Sequence, residues 1–461
     1  MVPSQKSRLA VEAKAEEIRK AVERECQRAN LSAEVRLDGS VAKDTWVVGY
    51  EEADIFMRVS TELTKKQLQD ICLPIARKAL APNPVVERFA EHPYIESTVK
   101  TRGGQLKVNV VPCYRVEKGN WLSATDRSPY HTEYIRSHLN DAKRDEVRLL
   151  KAFLRGIGTY GADIKTGGFS GMLCETLVVS YGAFRAAVED FSEWHVDRFI
   201  DVENYYEGRG DEVHRVFKEP LVVIDPVDKG RNLGAAVRTD QLWNFVGASR
   251  QLISKPSPSL FAAPQLKPLT LTQYRNLIRK RGSTIVCLAT GRIEAVVDIL
   301  WSQLYRTQRA LVHLLESSDF KVIRSTAWSD EKRLNVILFE LEEEHLPAAK
   351  KREGPPVQRS AESASFLSKH MDKFGTLSGP WIEHDRWVTH KMRTNTSAVK
   401  LLKTTLRDGG TNVGVADLFA KSFKKNLQIA TDQALSPLIS SNDEFAKFMR
   451  SYLSGRPNWL A

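Results

Sequence analysis

The sequence predicts a multidomain α+β protein. Three observations lead there. The chain has 461 residues, too long for one ordinary core, and 42% of them are hydrophobic, enough for several folded cores. Strands and helices interleave over roughly the first 140 residues. A β-α-β-β order follows between Thr284 and Leu341.

Each element rests on its own pattern. Arg8 to Arg28 has helical spacing of Leu9, Ala13, Ile18 and Val22, and Leu31-Ser32 breaks it. Glu34 to Leu37 reads as a strand that ends at Gly39-Ser40. Ala53 to Val59 reads as a second strand, Thr64 to Leu80 as a helix and Leu106 to Val111 as a third strand. Glu146 to Gly156 opens a helical stretch in which Leu173 to Ala187 is apolar enough to be buried, and Lys255-Pro256-Ser257-Pro258 reads as a linker. Thr284 to Ala289, Phe320 to Trp328 and Leu334 to Leu341 read as strands around a helix from Val296 to Ser317. Glu342 to Glu362, charged and carrying Pro355-Pro356, reads as a loop or linker. The expected domains are therefore 1–140, 141–260, 261–345 and 346–461.

Lys and Arg outnumber Asp and Glu by 68 to 57, giving +11, a balance that suits a polyanionic partner. Arg279-Lys280-Arg281, Lys350-Lys351-Arg352 and Lys421, Lys424 and Lys425 concentrate base in the C-terminal half. The five cysteines are scattered and never form C-x-x-C, which argues for a reducing, cytoplasmic setting and against a disulfide framework or zinc site. No apolar run approaches the length of about 18 residues that a membrane span needs. The charged N-terminus does not read as a secretory signal.

The chemistry concentrates first at Gly39-Ser40, Lys43 and the strand Glu52-Ala53-Asp54. Alternation puts Glu52 and Asp54 on one strand face, where two carboxylates repel unless a cation lies between them. Oxygen ligands of this kind suit Mg²⁺. Gly39 permits a tight turn, and Ser40 with the amides behind it can donate to a triphosphate. An exposed acidic strand end after an ordinary turn has the same spacing. Lys151 lies off the apolar face of its helix, as a solvated lysine would, and Tyr160 sits between two loop glycines. Arg231 has Asp225 and Asp228 as alternative surface partners. His92 and His131 each adjoin proline and an aromatic, a setting common for structural histidines. Glu175, within the apolar helix, reads as a buried carboxylate paired to backbone or base.

Gly39-Ser40-Val41-Ala42-Lys43-Asp44-Thr45-Trp46 resembles the Gly-Ser signature of the nucleotidyltransferase superfamily that includes DNA polymerase beta and the poly(A) polymerases. Ala90-Glu91-His92-Pro93-Tyr94, Val110 to Tyr114, Asp126 to His131, Glu146 to Lys151, Phe169-Ser170-Gly171 and Asp225 to Asp228 with Arg231-Asn232 follow in order. The series is similar to the class I CCA-adding enzymes of archaea. That resemblance implies a polymerase beta-like nucleotidyltransferase head, a helical central domain, and an RNA-recognition-like α+β body and tail that grip the acceptor and T arms of tRNA. It implies addition of C, C and A to the tRNA 3′ end from CTP and ATP, with two metal ions, Mg²⁺, assisting. Glu52 and Asp54 would be the metal ligands. Gly39, Ser40, Lys43, Ser128, His131, Lys151, Tyr160 and Arg231 would surround the nucleotide, and His92 and Arg127 would lie near the RNA end. No membrane partner is implied, and the sequence leaves a homodimer open.

Two departures stand out. Lys43 occupies a position where the family usually has arginine, so bidentate phosphate geometry is lost. Asn109 stands where the family has a third catalytic aspartate, which predicts impaired nucleotide addition. A tRNA-end-binding protein without activity and a poly(A) polymerase-like enzyme are the two rival readings.

Overall fold

The computed structural model describes residues 2–89, 92–263 and 265–460, and divides into two compact units. The first runs from the N-terminal helix to Gln265 and takes back the C-terminal stretch from Gly455. The second is Leu266–Ser454. The expected divisions at 140/141 and 345/346 fall inside these units.

The first unit contains, in chain order, α1 Gln5–Arg28, β1 Ala33–Asp38, the single turn α2 Gly39–Ala42, β2 Glu52–Val59, α3 Lys65–Leu80, β3 Val85–Phe89, β4 Pro93–Thr101 and β5 Gly104–Tyr114. After these come α4 Ser128–His138, α5 Asp141–Ile157, α6 Gly171–Tyr181, α7 Phe184–Ser192, β6 Phe199–Ile200, α8 Gly210–Val216, β7 Val222–Asp225, β8 Asp228–Asn232 and α9 Thr239–Ser254. The first five strands form one sheet in the order β1-β2-β5-β4-β3, with β2 and β5 parallel. Alternation gives the sheet two unlike faces. Ala53, Ile55, Met57 and Val59 of β2, with Val108 and Val110 of β5, pack under Val11, Ile18 and Val22 of α1 and Leu68, Cys72 and Leu80 of α3. Glu52, Asp54, Lys107 and Asn109 are left on the opposite face. The antiparallel pair β3–β4, absent from the sequence reading, completes the sheet; Ala90 and Glu91 lie outside the described residues.

A second core gathers Leu150, Phe153 and Leu154 of α5, Leu173, Leu177 and Val178 of α6, Phe191 of α7 and Phe245 of α9. Leu260, just beyond the mostly exposed run Lys255-Pro256-Ser257-Pro258, joins it, and the first unit ends shortly after, at Gln265. A Cβ on Gly156 would lie 2.1 Å from the Leu260 carbonyl oxygen.

Glu175 is the one charged residue of α6, and it is fully buried. Glu175 accepts from Lys43 Nζ at 2.5 Å, Lys151 Nζ at 2.9 Å and Thr45 Oγ1 at 2.5 Å. Lys151 is therefore not the outward-facing side chain its helical position suggested. The off-core face of α5 is covered by the segment 43–48, and Arg148 on the same face donates to the Trp46 carbonyl at 3.0 Å. Burial pushes the Glu175 carboxyl up, but Lys151 and Lys43 more than offset this and hold it at about 2, against 4.5 ordinarily.

The second unit contains α10 Leu271–Arg281, β9 Thr284–Thr290, α11 Val297–Ser317, β10 Val322–Ser329, β11 Asn335–Leu341, β12 Ala349–Pro356, α12 Ser360–His370, β13 Thr376–Glu383 and β14 Arg386–Met392. It ends with α13 Ala398–Leu406, α14 Asp417–Asn426, β15 Gln428–Thr431, α15 Ser436–Ser441 and α16 Asp443–Ser454. One sheet has the order β10-β11-β9-β15, so a strand from beyond residue 346 completes the expected β-α-β-β motif. Both faces are covered. Leu304, Leu311 and Phe419 pack on Val286, Leu288, Ile337 and Phe339, while Tyr274, Phe445 and Met449 pack on Ile285, Cys287, Val336 and Leu338. The supposed linker Glu342–Glu362 instead supplies β12, the edge of a three-stranded sheet β12-β14-β13, and the start of α12. Charged residues and proline are what an edge strand tolerates, so composition alone could not separate it from a linker.

Two outcomes follow from these contacts. Gly156→Ala should lower stability by about 1–3 kcal/mol through overpacking, read by urea unfolding. Glu175→Gln should cost about 3–5 kcal/mol, because two buried ammonium groups lose their charge partner. Since the folded Glu175 carboxyl lies below its ordinary value, its stabilisation is complete above pH 4.5 and fades as pH falls through about 2. The stability gap between the wild type and Glu175→Gln should close over that window; a pH-independent gap would contradict the ion-pair account.

Candidate active site

The acidic group is built by strand register. β2 and β5 place Glu52 opposite Lys107 and Asp54 opposite Asn109, and β4 places Glu96 opposite Asn109 from the other side. Asn109 Nδ2 donates to Glu52 Oε1 at 2.7 Å and to Asp54 Oδ1 at 2.8 Å. Its own Oδ1 is buried with no hydrogen-bond partner. Burial, followed by the charge of Glu52, pushes the Asp54 carboxyl up to about 7. Two crowded carboxylates and an amide oxygen that a ring-like flip of the amide would turn toward them are hard oxygen donors, which fit Mg²⁺. Among the described residues no cluster of three His, Cys, Asp or Glu side chains forms a metal site, because the third member here is Asn109.

Gly39 is required by this arrangement. Its φ is +71°, and a Cβ there would fall 2.0 Å from Asp54 Oδ2. Ser40 follows in α2, its Oγ donating to the Glu52 carbonyl at 3.4 Å.

Lys43, Lys151 and Tyr160 form a second group beside the first. A Cβ on Gly171, the first residue of α6, would lie 3.3 Å from Tyr160 Oη and 3.7 Å from Lys151 Nζ. A hydroxyl and an ammonium thus converge on a helix N-terminus, a setting that favours phosphate oxygens. The charge of Lys43 acts on both Asp54 and His131, which connects the groups. Tyr160 is fixed by Arg155, whose guanidinium lies 4.0 Å over its ring and 3.7 Å over the ring of Tyr50. Sequence reading missed this sandwich and the part of Thr45; the Y-E-E run at 50–52 and the R-x-x-x-x-Y spacing carried no recognisable signal.

The third group centres on Asp225, fully buried. His131 Nε2 meets its two oxygens at 3.0 and 2.8 Å, Arg231 Nη1 donates at 3.0 Å, and the Val227 amide at 3.0 Å. Burial lowers the His131 pKa despite Asp225, so neutral imidazole donating its Nε2 proton is the favoured state at neutral pH. Arg231 pairs with Asp225 and not with Asp228, which is taken by Arg127 Nε at 2.7 Å. Arg231 stays 40% exposed, so part of its guanidinium is open to a ligand. Ser128 begins α4 next to Arg127. His92 is buried, edge-on to Tyr114 with centroids 6.2 Å apart. The basic runs of the second unit lie on separate elements. Arg281 is spent on Glu340 at 2.7 Å, Lys350 on Asp319 at 2.7 Å and Lys351 on Glu383 at 2.5 Å, whereas Lys421, Lys424 and Lys425 of α14 are exposed.

Residues 145–262 match the family model described as tRNA nucleotidyltransferase, second domain, and residues 281–429 match CCA-adding enzyme, C-terminal domain. The CCA-adding enzyme of Methanothermobacter thermautotrophicus is 33% identical over 432 residues, covering 92% of this chain and 89% of that enzyme. That of Methanopyrus kandleri is 32% identical over 473 residues, covering 99% and 96%. Among solved structures, a cytoplasmic RNA terminal U-transferase aligns over 58% of this chain and 96% of its own, at 12% identity and a TM-score of 0.43. A third of the residues shared along nearly the whole length, with two family models matched in order, shows that this chain belongs to the archaeal-type CCA-adding enzymes of the polymerase beta-like nucleotidyltransferase superfamily.

Proposed function

We propose that this chain adds C, C and A to the 3′ end of tRNA from CTP and ATP. The observation that carries the reading is the convergence of Lys151 and Tyr160 on the α6 N-terminus, beside a strand pair that presents Glu52 and Asp54 over Gly39. The tRNA 3′-hydroxyl attacks the α-phosphorus, the bond to the bridging oxygen breaks and pyrophosphate leaves. Lys43, Lys151, Ser40 and Tyr160 hold the triphosphate, and the exposed edge of Arg231, oriented by Asp225 and His131, meets the incoming base. Glu52 and Asp54 would hold Mg²⁺, which would neutralise phosphate charge and make the hydroxyl easier to deprotonate. No nucleic-acid template is present, so the protein and the tRNA end together choose the base.

Asn109 slows this chemistry. It brings no charge, and its amide donates to both carboxylates, satisfying them as a cation otherwise would. This same capping favours the rival reading of a tRNA-end-binding protein without activity. Incubating the chain with Mg²⁺, CTP, ATP and tRNA that lacks its 3′ end decides between them. The expected product is three nucleotides longer, formed slowly, and Asn109→Asp should raise the rate by about 10²–10³-fold, comparable to restoring one electrostatic contributor. An unchanged rate would remove the third-carboxylate argument, and open-ended tailing of any RNA would replace this reading with a poly(A) polymerase-like one.

tRNA binding should weaken steeply with salt, with a log–log slope of several units, because the basic residues displace phosphate counterions. A gel-shift or anisotropy titration from low to physiological salt checks it. Equal affinity for tRNA and for unstructured single-stranded RNA would contradict a grip on the acceptor and T arms.

A further inference from the structure

Lys107 lies two residues before Asn109 on β5, on the same face as the acidic pair. Its ammonium is 3.0 Å from Glu52 Oε1 and 2.9 Å from Glu96 Oε2. The contact with Glu52 is set by register, since Glu52 and Lys107 are direct partners in the parallel β2–β5 pair. The contact with Glu96 is set from the other side. Glu96 is mostly buried on β4, and its other oxygen, Oε1, accepts from Arg88 Nη2 at 2.8 Å and Nε at 3.1 Å. A fixed chain therefore runs Arg88–Glu96–Lys107–Glu52 and ends on a carboxylate expected to bind metal.

Charge on this face decides how many divalent ions it can hold. With a cation bound, which favours the ionised form of both acids, Glu52 and Asp54 contribute two negative charges, Lys107 cancels one of them, and Asn109 adds none. Glu96 is balanced by Arg88. A single excess negative charge, together with the triphosphate, suits one divalent ion. A pair of divalent ions a few ångströms apart repel each other and need more carboxylate than this face presents.

We propose that the Lys107 ammonium serves in place of one of the two divalent ions, so that this chain works with a single Mg²⁺, and that Glu96 is the positioning residue that keeps Lys107 against Glu52. The proposal rests on reading this site as one of metal-assisted nucleotidyl transfer. Lys107 and Asn109 then act together: the fixed positive charge and the neutral amide both reduce the demand for a second ion.

The test is a count of bound ions. Full-length chain is titrated with Mn²⁺ in the presence of a non-hydrolysable CTP analogue, without tRNA, and free Mn²⁺ is followed by electron paramagnetic resonance. After correction for Mn²⁺ held by unbound analogue, the wild-type complex should hold one Mn²⁺ in total, the ion on the bound analogue included, and the double variant K107M/N109D, which presents three uncompensated carboxylates, should hold two. Two tightly held ions in the wild type would overturn the proposal. So would one ion in a double variant that still binds the analogue with wild-type affinity, a control that shows it is folded. Failure of CCA addition itself would appear in the tRNA assay and leave the count unaffected, so the two readings fail separately. Glu96→Gln should leave the ion count of the wild type at one but weaken analogue binding less than K107M does; an effect of Glu96→Gln on unfolding alone, with none on the Mn²⁺ dissociation constant, would reduce Glu96 to a structural residue.

Discussion

The site depends on one buried carboxylate. Glu175 sits in the middle of α6, surrounded by apolar neighbours, where a lone charge would cost several kcal/mol. It is tolerated because Lys43, Lys151 and Thr45 all donate to it. Those partners come from two places: Lys43 and Thr45 follow the Gly39-Ser40 turn, and Lys151 comes from α5. The same three hydrogen bonds that satisfy Glu175 thus fix the turn next to the strand carrying Glu52 and Asp54 against α5 and α6. Apolar packing alone holds these layers together without specifying their register so narrowly; ion pairs are directional.

This arrangement divides the work of the two lysines. Lys151 has three donors and uses all of them, on Glu175, the Thr45 carbonyl and Thr45 Oγ1. A phosphate oxygen can reach it only by exchange. Lys43 gives one hydrogen bond to Glu175 and has further N–H groups to direct elsewhere. Lys43 is thus the residue with more freedom to meet phosphate. A compact ammonium can serve Glu175 and a phosphate in turn, whereas a planar fork would commit its geometry to one of them.

The catalytic strands were legible in the sequence because alternation is strict there: Ala53, Ile55 and Met57 face helices, and Glu52 and Asp54 do not. α6 was legible as buried because it lacks a polar face, and Glu175 as a paired carboxylate for the same reason. The misreadings share one cause, which is that a local pattern cannot see what lies opposite. Lys151 is on the off-core side of α5, but the segment 43–48 covers that side. Arg231 has two aspartates within reach in sequence, and only the fold assigns Asp228 to Arg127. Glu342–Glu362 has the composition of a linker and the position of an edge strand. The β3–β4 pair escaped because Val85–Thr101 mixes charged residues with its β-branched ones. With it went Glu96, whose importance arises only from standing across from Asn109.

Asn109 therefore has a different meaning in the structure than in the sequence. Taken alone, an aspartate-to-asparagine difference removes one ligand charge and should leave Glu52 and Asp54 repelling each other. In the fold, the amide hydrogens bridge that pair, and Lys107, the register partner of Glu52, supplies the positive charge from the adjacent position on the same strand face. An aspartate at 109 would lack the donors that now join the two acids, and their separation would have to be held by cations alone. A methionine or threonine at 107 would leave Glu96 with only Arg88. Each of the two residues is intelligible given the other, and the parallel pairing of β2 with β5 is what makes them neighbours of the same carboxylate.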